Sequence, residues 1–84
     1  MEIVEKIKKA LKENRAVLGY RESLKYIRNN KVEEVILANN APEKIKKIIL
    51  NSNVKVEIFD KGSKELGTIC GKPYPITTIA IKGE

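Results

Sequence analysis

Gly19-Tyr20-Arg21-Glu22-Ser23 sets a glycine where the short apolar run Ala16-Val17-Leu18 gives way to a helical pattern. A glycine at such a junction lets backbone amides come close to an anion, and Arg21 beside it adds a planar guanidinium fork. The combination suits RNA; the plainer account is a tight strand-to-helix turn with a solvated arginine. Lys72-Pro73-Tyr74-Pro75 places an aromatic on a stiff polar stretch beside a base. Prolines on both sides hold the ring at little entropic cost, as a stacking surface for an extruded base requires. The competing account folds Tyr74 back as a lid on the core.

Other chemistries are poorly served. Gly67-Thr68-Ile69-Cys70-Gly71-Lys72-Pro73 has three residues between its glycines and a proline after its lysine, whereas a nucleotide phosphate loop needs four and then Ser or Thr. Cys70 is the single cysteine and reads as a small apolar filler, since no histidine is present to activate it. Asp60, the only aspartate, and Glu65 could form a carboxylate pair for acid/base work; a turn residue and a helix-start acid is the simpler reading. With no histidine and one cysteine, Ser/His/Asp triads, Cys/His dyads and His or Cys zinc cages are excluded. The sequence assigns no catalytic residue, no metal ligand and no cofactor.

Eighty-four residues suffice for one compact core, and 42% hydrophobic with 33% charged residues describes a folded domain with a heavily solvated surface. The longest apolar run, Val35-Ile36-Leu37-Ala38, is far short of a membrane span, and the charged amino terminus predicts no secretory leader. A lone thiol fits a reducing cytoplasm. The net charge of +6 is concentrated early, with nine bases and four acids in residues 1–31. That field favours a polyanion, nucleic acid before membrane, although lysine-rich helices are also simply soluble.

The elements that must position these residues follow from periodicity. Ile3, Val4, Ile7, Ala10 and Leu11 predict a helix over 2–13, broken at Asn14 and Arg15. Residues 16–18 form a strand. Leu24 and Ile27, with Tyr20 at the entry, predict a second helix stopped by Asn29-Asn30. Val35-Ala38 reads as a central strand. Asn40, Pro42 and Glu43 read as a capping box opening a third helix to about Leu50. A strand over 54–59, a short helix from about Lys64 to Cys70 stopped by Gly71, and a strand over 76–81 complete the chain. The order α-β-α-β-α-β-α-β implies a three-layer α/β/α sandwich with a mixed or largely parallel four-stranded sheet. Functional loops then gather at the strands' carboxyl ends: 18–21, 39–42, 59–63 and the carboxyl-terminal tail.

Three segments, in order along the chain, resemble the thirty-e type of archaeal and eukaryotic large-subunit ribosomal proteins, a family within the kink-turn RNA-binding superfamily. Gly19-Tyr20-Arg21-Glu22-Ser23-Leu24-Lys25 is similar to the family's Gly-Tyr-Lys/Arg-x-Ser/Thr-x-Lys element, and Ala38-Asn39-Asn40-Ala41-Pro42 to its Ala-Asn-Asn/Thr-x-Pro loop. Glu65-Leu66-Gly67-Thr68-Ile69-Cys70-Gly71-Lys72 is similar to its Glu-Leu-Gly-Thr-x-x-Gly-Lys segment, the most specific of the three. Related kink-turn binders of guide-RNA particles carry Asn-Glu-x-x-Lys where this chain has Arg21-Glu22-x-x-Lys25, which favours the ribosomal branch.

The resemblance implies a non-enzymatic domain over residues 1–84 that binds kink-turn rRNA, an internal loop with a sharp bend and tandem sheared G·A pairs. By position, Gly19 and Tyr20 would lie against the kinked backbone, Arg21 would face guanine edges, and Lys25 a phosphate or guanine. Asn40 would hydrogen-bond a base or sugar, and Tyr74 would pack on a looped-out nucleotide. Glu22, Asn39, Pro42 and Lys72 complete the expected RNA-binding set. The expected partners are rRNA and other ribosomal components, with no membrane, a cytoplasmic ribosomal location, and a monomer away from the ribosome. The alternatives are an adaptor of a small guide-RNA ribonucleoprotein, a small α/β enzyme using Asp60 and Glu65, or a scaffold whose basic face meets an acidic protein.

Overall fold

The computed structural model describes residues 2–83. Helices α1 (Glu2–Lys12), α2 (Tyr20–Arg28), α3 (Glu43–Leu50) and α4 (Ser63–Ile69) alternate with strands β1 (Ala16–Leu18), β2 (Val32–Ala38), β3 (Lys55–Phe59) and β4 (Thr78–Lys82). The expected three-layer sandwich is present. Its helix stops are local: Asn14 and Asn30 take left-handed φ values of 58° and 56°, and Gly71 takes 73° just past α4. Asparagine and glycine tolerate that conformation at low cost.

The sheet order is β1-β4-β2-β3, with β4 antiparallel to both β1 and β2, and β2 parallel to β3. The period of two along each strand divides the core. Ile36, Ala38, Phe59, Ile79 and Ile81 meet α1 through Ile7 and Ala10 and α4 through Leu66. Val17, Val35, Leu37 and Ala80 meet α2 through Ile27 and α3 through Ile49.

Because β4 is reversed, the carboxyl ends of β1, β2 and β3 share one edge of the sheet with its amino end. The expectation that the carboxyl-terminal tail joins the functional loops is therefore corrected. The loop before β4 lies there instead, while Gly83 donates its amide to the Lys31 carbonyl at the opposite edge, 2.8 Å away. Strand β4 also begins at Thr78, two residues later than its apolar run predicts, because Ile76 is held by its own bond to the Ser63 carbonyl.

Asp60 follows β3 and Glu65 sits in the first turn of α4, as the simpler reading of these two acids expects. Asp60 and Glu65 are exposed, and no group of three metal-ligating side chains occurs among the described residues. The carboxylates that interact are Glu34 and Glu57, joined through the Lys6 ammonium from α1, with Lys6 Nζ 3.2 Å from Glu34 and in contact with Glu57. A register shift between Val32 and Glu34 in the β2–β4 pairing accompanies this arrangement. Glu33 is exposed and meets Arg15 at 2.7 Å, whereas Glu34 is only 8% exposed. Burial, with a hydrogen bond to Glu57 second, raises the Glu34 pKa above its ordinary value. The hydrogen bonds from Glu34 and Lys6 lower that of Glu57.

These shifts act on stability with opposite signs. The folded protein holds a proton on Glu34 more readily than the unfolded chain does, so this group favours folding more as the pH falls from neutrality into the carboxylate range. Glu57 does the reverse, and its contribution disappears as the pH falls through its lowered value. Urea unfolding at pH 7 and pH 5 should show Glu34→Gln losing the stabilisation that the native chain gains on moderate acidification. Glu57→Gln should destabilise most at neutral pH.

Candidate nucleic-acid interface

At the end of β1, Gly19 has φ 98° and ψ 152°, a conformation that any side chain would strain. Its amide donates to the Thr78 carbonyl (2.9 Å), and its carbonyl accepts the Ser23 amide (3.1 Å) and the Ser23 hydroxyl (2.6 Å). Ser23 is fully buried, so the first turn of α2 is pinned to the sheet. The amides of Tyr20, Arg21 and Glu22 precede the first intrahelical bond, and no side chain caps them. Half-buried Tyr20 packs on the α2–α3 side of the core. Arg21 is exposed and has no ion-pair partner among the described residues. Glu22 meets Lys25 at 3.6 Å, and both are so exposed that the pair contributes only a few tenths of a kcal/mol.

The β2–α3 loop is clasped to the β3–α4 loop by adjacent asparagines. Asn39 Nδ2 donates to the Asp60 carbonyl (2.8 Å), and Asn40 Oδ1 accepts the Ser63 amide (2.9 Å). Both amide orientations are fixed by their backbone partners, since a carbonyl requires NH2 and an N–H requires oxygen. One half of each side chain is therefore left over: Asn39 Oδ1 as an acceptor and Asn40 Nδ2 as a donor, neither with a partner among the described residues. This corrects the capping-box reading. The residue at the amino end of α3 is Pro42, no side chain caps that helix, and Asn40 bonds across 23 residues to α4 instead. Lys46 Nζ from the first turns of α3 donates to the Asn39 carbonyl at 2.8 Å.

Tyr74 is 54% exposed, so it is not a lid on the core. Its loop is held by backbone alone: Lys72 donates its amide to the Gly67 carbonyl (2.9 Å), and Ile76 donates to the Ser63 carbonyl (3.0 Å). The Tyr74 carbonyl lies so close to Gly67 that a Cβ there would clash with it. Glycine inside α4 is thus required by packing, although Gly67 is the wrong residue for helix propensity. Half-buried Cys70 ends α4, and burial pushes its thiol up from the ordinary value, against a smaller opposite pull from Lys72. It remains a protonated filler.

Leu18, Gly19, Tyr20, Ser63, Tyr74 and Pro75 line one hollow of about 290 Å³. Lys64, Thr68, Lys72 and Pro73, again with Ser63 and Tyr74, line an adjoining one of about 400 Å³. Tyr74 is shared by both, and Asn40 is tied to them through Ser63. Gly19, Tyr20, Asn40, Lys72 and Tyr74 are therefore brought together, with Arg21 and Glu22 in the adjoining first turn of α2. Lys25 stands one turn along α2, Asn39 joins through Asp60, and Pro42 opens α3 without lining either hollow. Two residues outside the expected set, Ser63 and Lys46, hold the rim in shape. The turn Lys61-Gly62-Ser63 at the end of β3 is the sequence signal that would have pointed to the first.

The family model for the ribosomal protein L7Ae/L30e/S12e/Gadd45 family matches residues 1–84. The chain belongs to that family. Within it, the chain is similar to large ribosomal subunit protein eL30 of Archaeoglobus fulgidus, with 37% identity over 93% of this chain and 91% of the relative. It is also similar to that protein from Methanosarcina mazei, with 37% identity over 87% and 71% of the two chains. Among solved structures, a Giardia lamblia 15.5kD RNA binding protein superposes with a TM-score of 0.80 at 21% identity, covering 99% of this chain and 72% of the other. A protein of unknown function from Bacillus halodurans C gives 0.78 at 24% identity, covering 88% and 77%. At those identities the structural matches establish the family's fold.

Substitutions at two positions examine how this family member builds its rim. Gly67→Ala should destabilise by about 1–3 kcal/mol, an overpacking cost readable from urea or thermal unfolding. Asn40→Ala should cost about 0.5–1 kcal/mol by leaving the Ser63 amide unpaired, while Asn40→Asp, which keeps the acceptor, should unfold like the native chain.

Proposed function

We propose that this chain is a non-catalytic RNA-binding protein of the large ribosomal subunit, and that residues 1–84 act as one domain gripping a kink-turn in rRNA. The observation that carries the reading is the convergence of three separated segments, around Gly19, Asn40 and Tyr74, on one basic rim built around Ser63. The family membership and the ribosomal proteins among its relatives support the same assignment, and with it a cytoplasmic place on the ribosome.

The chemistry fits a distorted junction. Regular A-form RNA keeps its major groove too narrow for a guanidinium, but a sharp bend opens guanine O6 and N7 to Arg21. The uncapped amides at the start of α2 suit the kinked phosphates beside Gly19. Asn40 Nδ2 and Asn39 Oδ1 supply one donor and one acceptor for a base or sugar edge. Tyr74 offers an exposed face to a looped-out base, and Lys72 a point charge to a phosphate. Lys25 reaches a phosphate by releasing Glu22, a weak competitor. The domain acts as a monomer away from the ribosome.

A gel-shift comparison of a kink-turn hairpin with the same hairpin lacking its G·A pairs tests the reading. The first should bind more tightly, with a log-log salt slope near −4 for about five neutralised phosphates. Arg21→Ala should cost about 1–3 kcal/mol and erase much of the discrimination, whereas Lys72→Ala should weaken both RNAs alike. Asn40→Asp, stable but lacking the donor, should bind less well than the native chain. Equal affinity of the native protein for both hairpins would refute the reading. RNA recovered with the protein from cells should be large-subunit rRNA; small guide RNAs would move it to the adaptor role.

A further inference from the structure

Away from the rim, the outer edge of β3 is unpaired. The strand order leaves β3 with β2 as its one neighbour, and among the described residues no other segment makes a backbone hydrogen bond to it. Which of its groups face outward follows from the register. Ala38 donates its amide to the Thr77 carbonyl on the β4 side of β2, so with a period of two Val35 and Leu37 turn their backbone groups toward β3. In a parallel ladder such residues bond to the chain neighbours of the residues directly beside them. Those directly beside them, Val56 and Ile58, therefore point their amides and carbonyls away from the sheet. Ile58 is 46% exposed, and Leu50, at the end of the helix that leads into β3, is 58% exposed; apart from Tyr74 at the rim, these are the exposed large hydrophobics among the described residues. Free edges are commonly blunted by a proline, a bulge or a covering segment. Strand β3 contains no proline, and its register with β2 runs without a shift from Glu34↔Lys55 to Ala38↔Phe59.

We propose that this edge takes up an extended segment of another protein as a fifth strand, one in which apolar residues alternate with acids. Backbone hydrogen bonds to Val56 and Ile58 supply the affinity, and the side chains set the sequence. Val56 packs on the α2–α3 side of the sheet, and Ile58, two residues on, shares that side, whereas Lys55 and Glu57 lie on the other. An added strand thus lays its apolar side chains beside Val56 and Ile58 and its charged ones beside Lys55. Their sign is fixed. Glu57 is held by Lys6, while Lys55 is exposed without an ion-pair partner among the described residues, and exposed Lys61 follows toward the rim. The alternating donors and acceptors of an open edge match another polypeptide backbone and not a row of phosphates, which accept only. A second copy of the chain would bring a further net charge of +6 to the same edge. The proposal is independent of the junction reading above.

The probe is a capped peptide of alternating valine and glutamate, titrated into the whole chain and followed by NMR amide exchange. The amides of Val56 and Ile58 should exchange quickly in the free protein and become protected by the peptide, while those of Glu57 and Phe59 are protected throughout by β2. N-methylation of one alternate set of peptide amides should cost at least about tenfold in affinity, and of the other set little. Ile58→Pro removes an outward amide that the β2–β3 ladder does not use, so it should remain folded and lose the peptide about tenfold. Lys55→Glu, at an exposed site, should lose about threefold at low salt and less at high salt. A peptide of valine and lysine should bind more weakly than the acidic one. No protection of Val56 and Ile58 at millimolar peptide, or equal loss from both sets of N-methylation, overturns the proposal. So does self-association of the native chain through β3, or a Lys55→Glu loss on the kink-turn hairpin instead of the peptide, since the occupant is then a second copy or RNA.

Discussion

Strand β4 runs against both of its neighbours, and that reversal decides which loops can meet. With β1, β2 and β3 parallel to one another, their carboxyl ends crowd a single edge, and only an antiparallel fourth strand brings its preceding loop to the same place. Tyr74 and Lys72 reach the rim by that route. A parallel β4 would have delivered the chain's tail there instead. Its two-sided pairing also makes β4 central, buried from Thr78 to Ile81, so the rim loop is anchored to the least yielding part of the sheet.

Around that anchor the rim is shaped by backbone groups and short polar side chains. Gly67 lets the Tyr74 carbonyl settle on α4, Ser63 links that loop to Asn40, and Ser23 locks the turn at Gly19. At Asn39 and Asn40 the bond uses one half of the side-chain amide and leaves the other outward. The amide of Asn40 is the clearest case, its oxygen engaged in the fold and its nitrogen unclaimed. Groups held this way lose little conformational freedom on meeting a ligand, which is the condition for affinity from few contacts.

The parts of this arrangement that are local were legible in the sequence. The four helices, the four strands, the asparagine and glycine stops and the α/β/α layering follow from apolar periodicity and left-handed residues, which act within a few positions. Strand direction does not, because an apolar run such as Ile76–Ile81 reads the same from either end; hence the misplaced tail. Asn40 misled for a related reason. Its spacing to Glu43 satisfies a local capping rule, but the Ser63 amide, 23 residues away, competes for the same oxygen and wins. Lys6, Glu34 and Glu57 lay beyond any pattern, since nothing short of the folded sheet shows that α1, β2 and β3 put them together. Gly19, Tyr20, Asn40 and Lys72 lie in the three family-like segments, and Tyr74 in the proline-flanked stretch that follows them. What those motifs could not supply was Ser63, whose role is purely one of position.

The two charged regions divide the work of the molecule. Near the start of β2, Lys6 is satisfied by two carboxylates and Arg15 by Glu13, Glu33 and the Lys82 carbonyl, so cations there tie helix to sheet and strand to strand. At the rim and along α2, Arg21 and Arg28 are left without such partners. Unpaired like charges on one face oppose folding through mutual repulsion, a cost that a polyanion relieves on binding. Glu22 is the acid in the first turn of α2. Its contact with Lys25 is long and exposed, and a pair of that kind is weak enough for a stronger anion to displace.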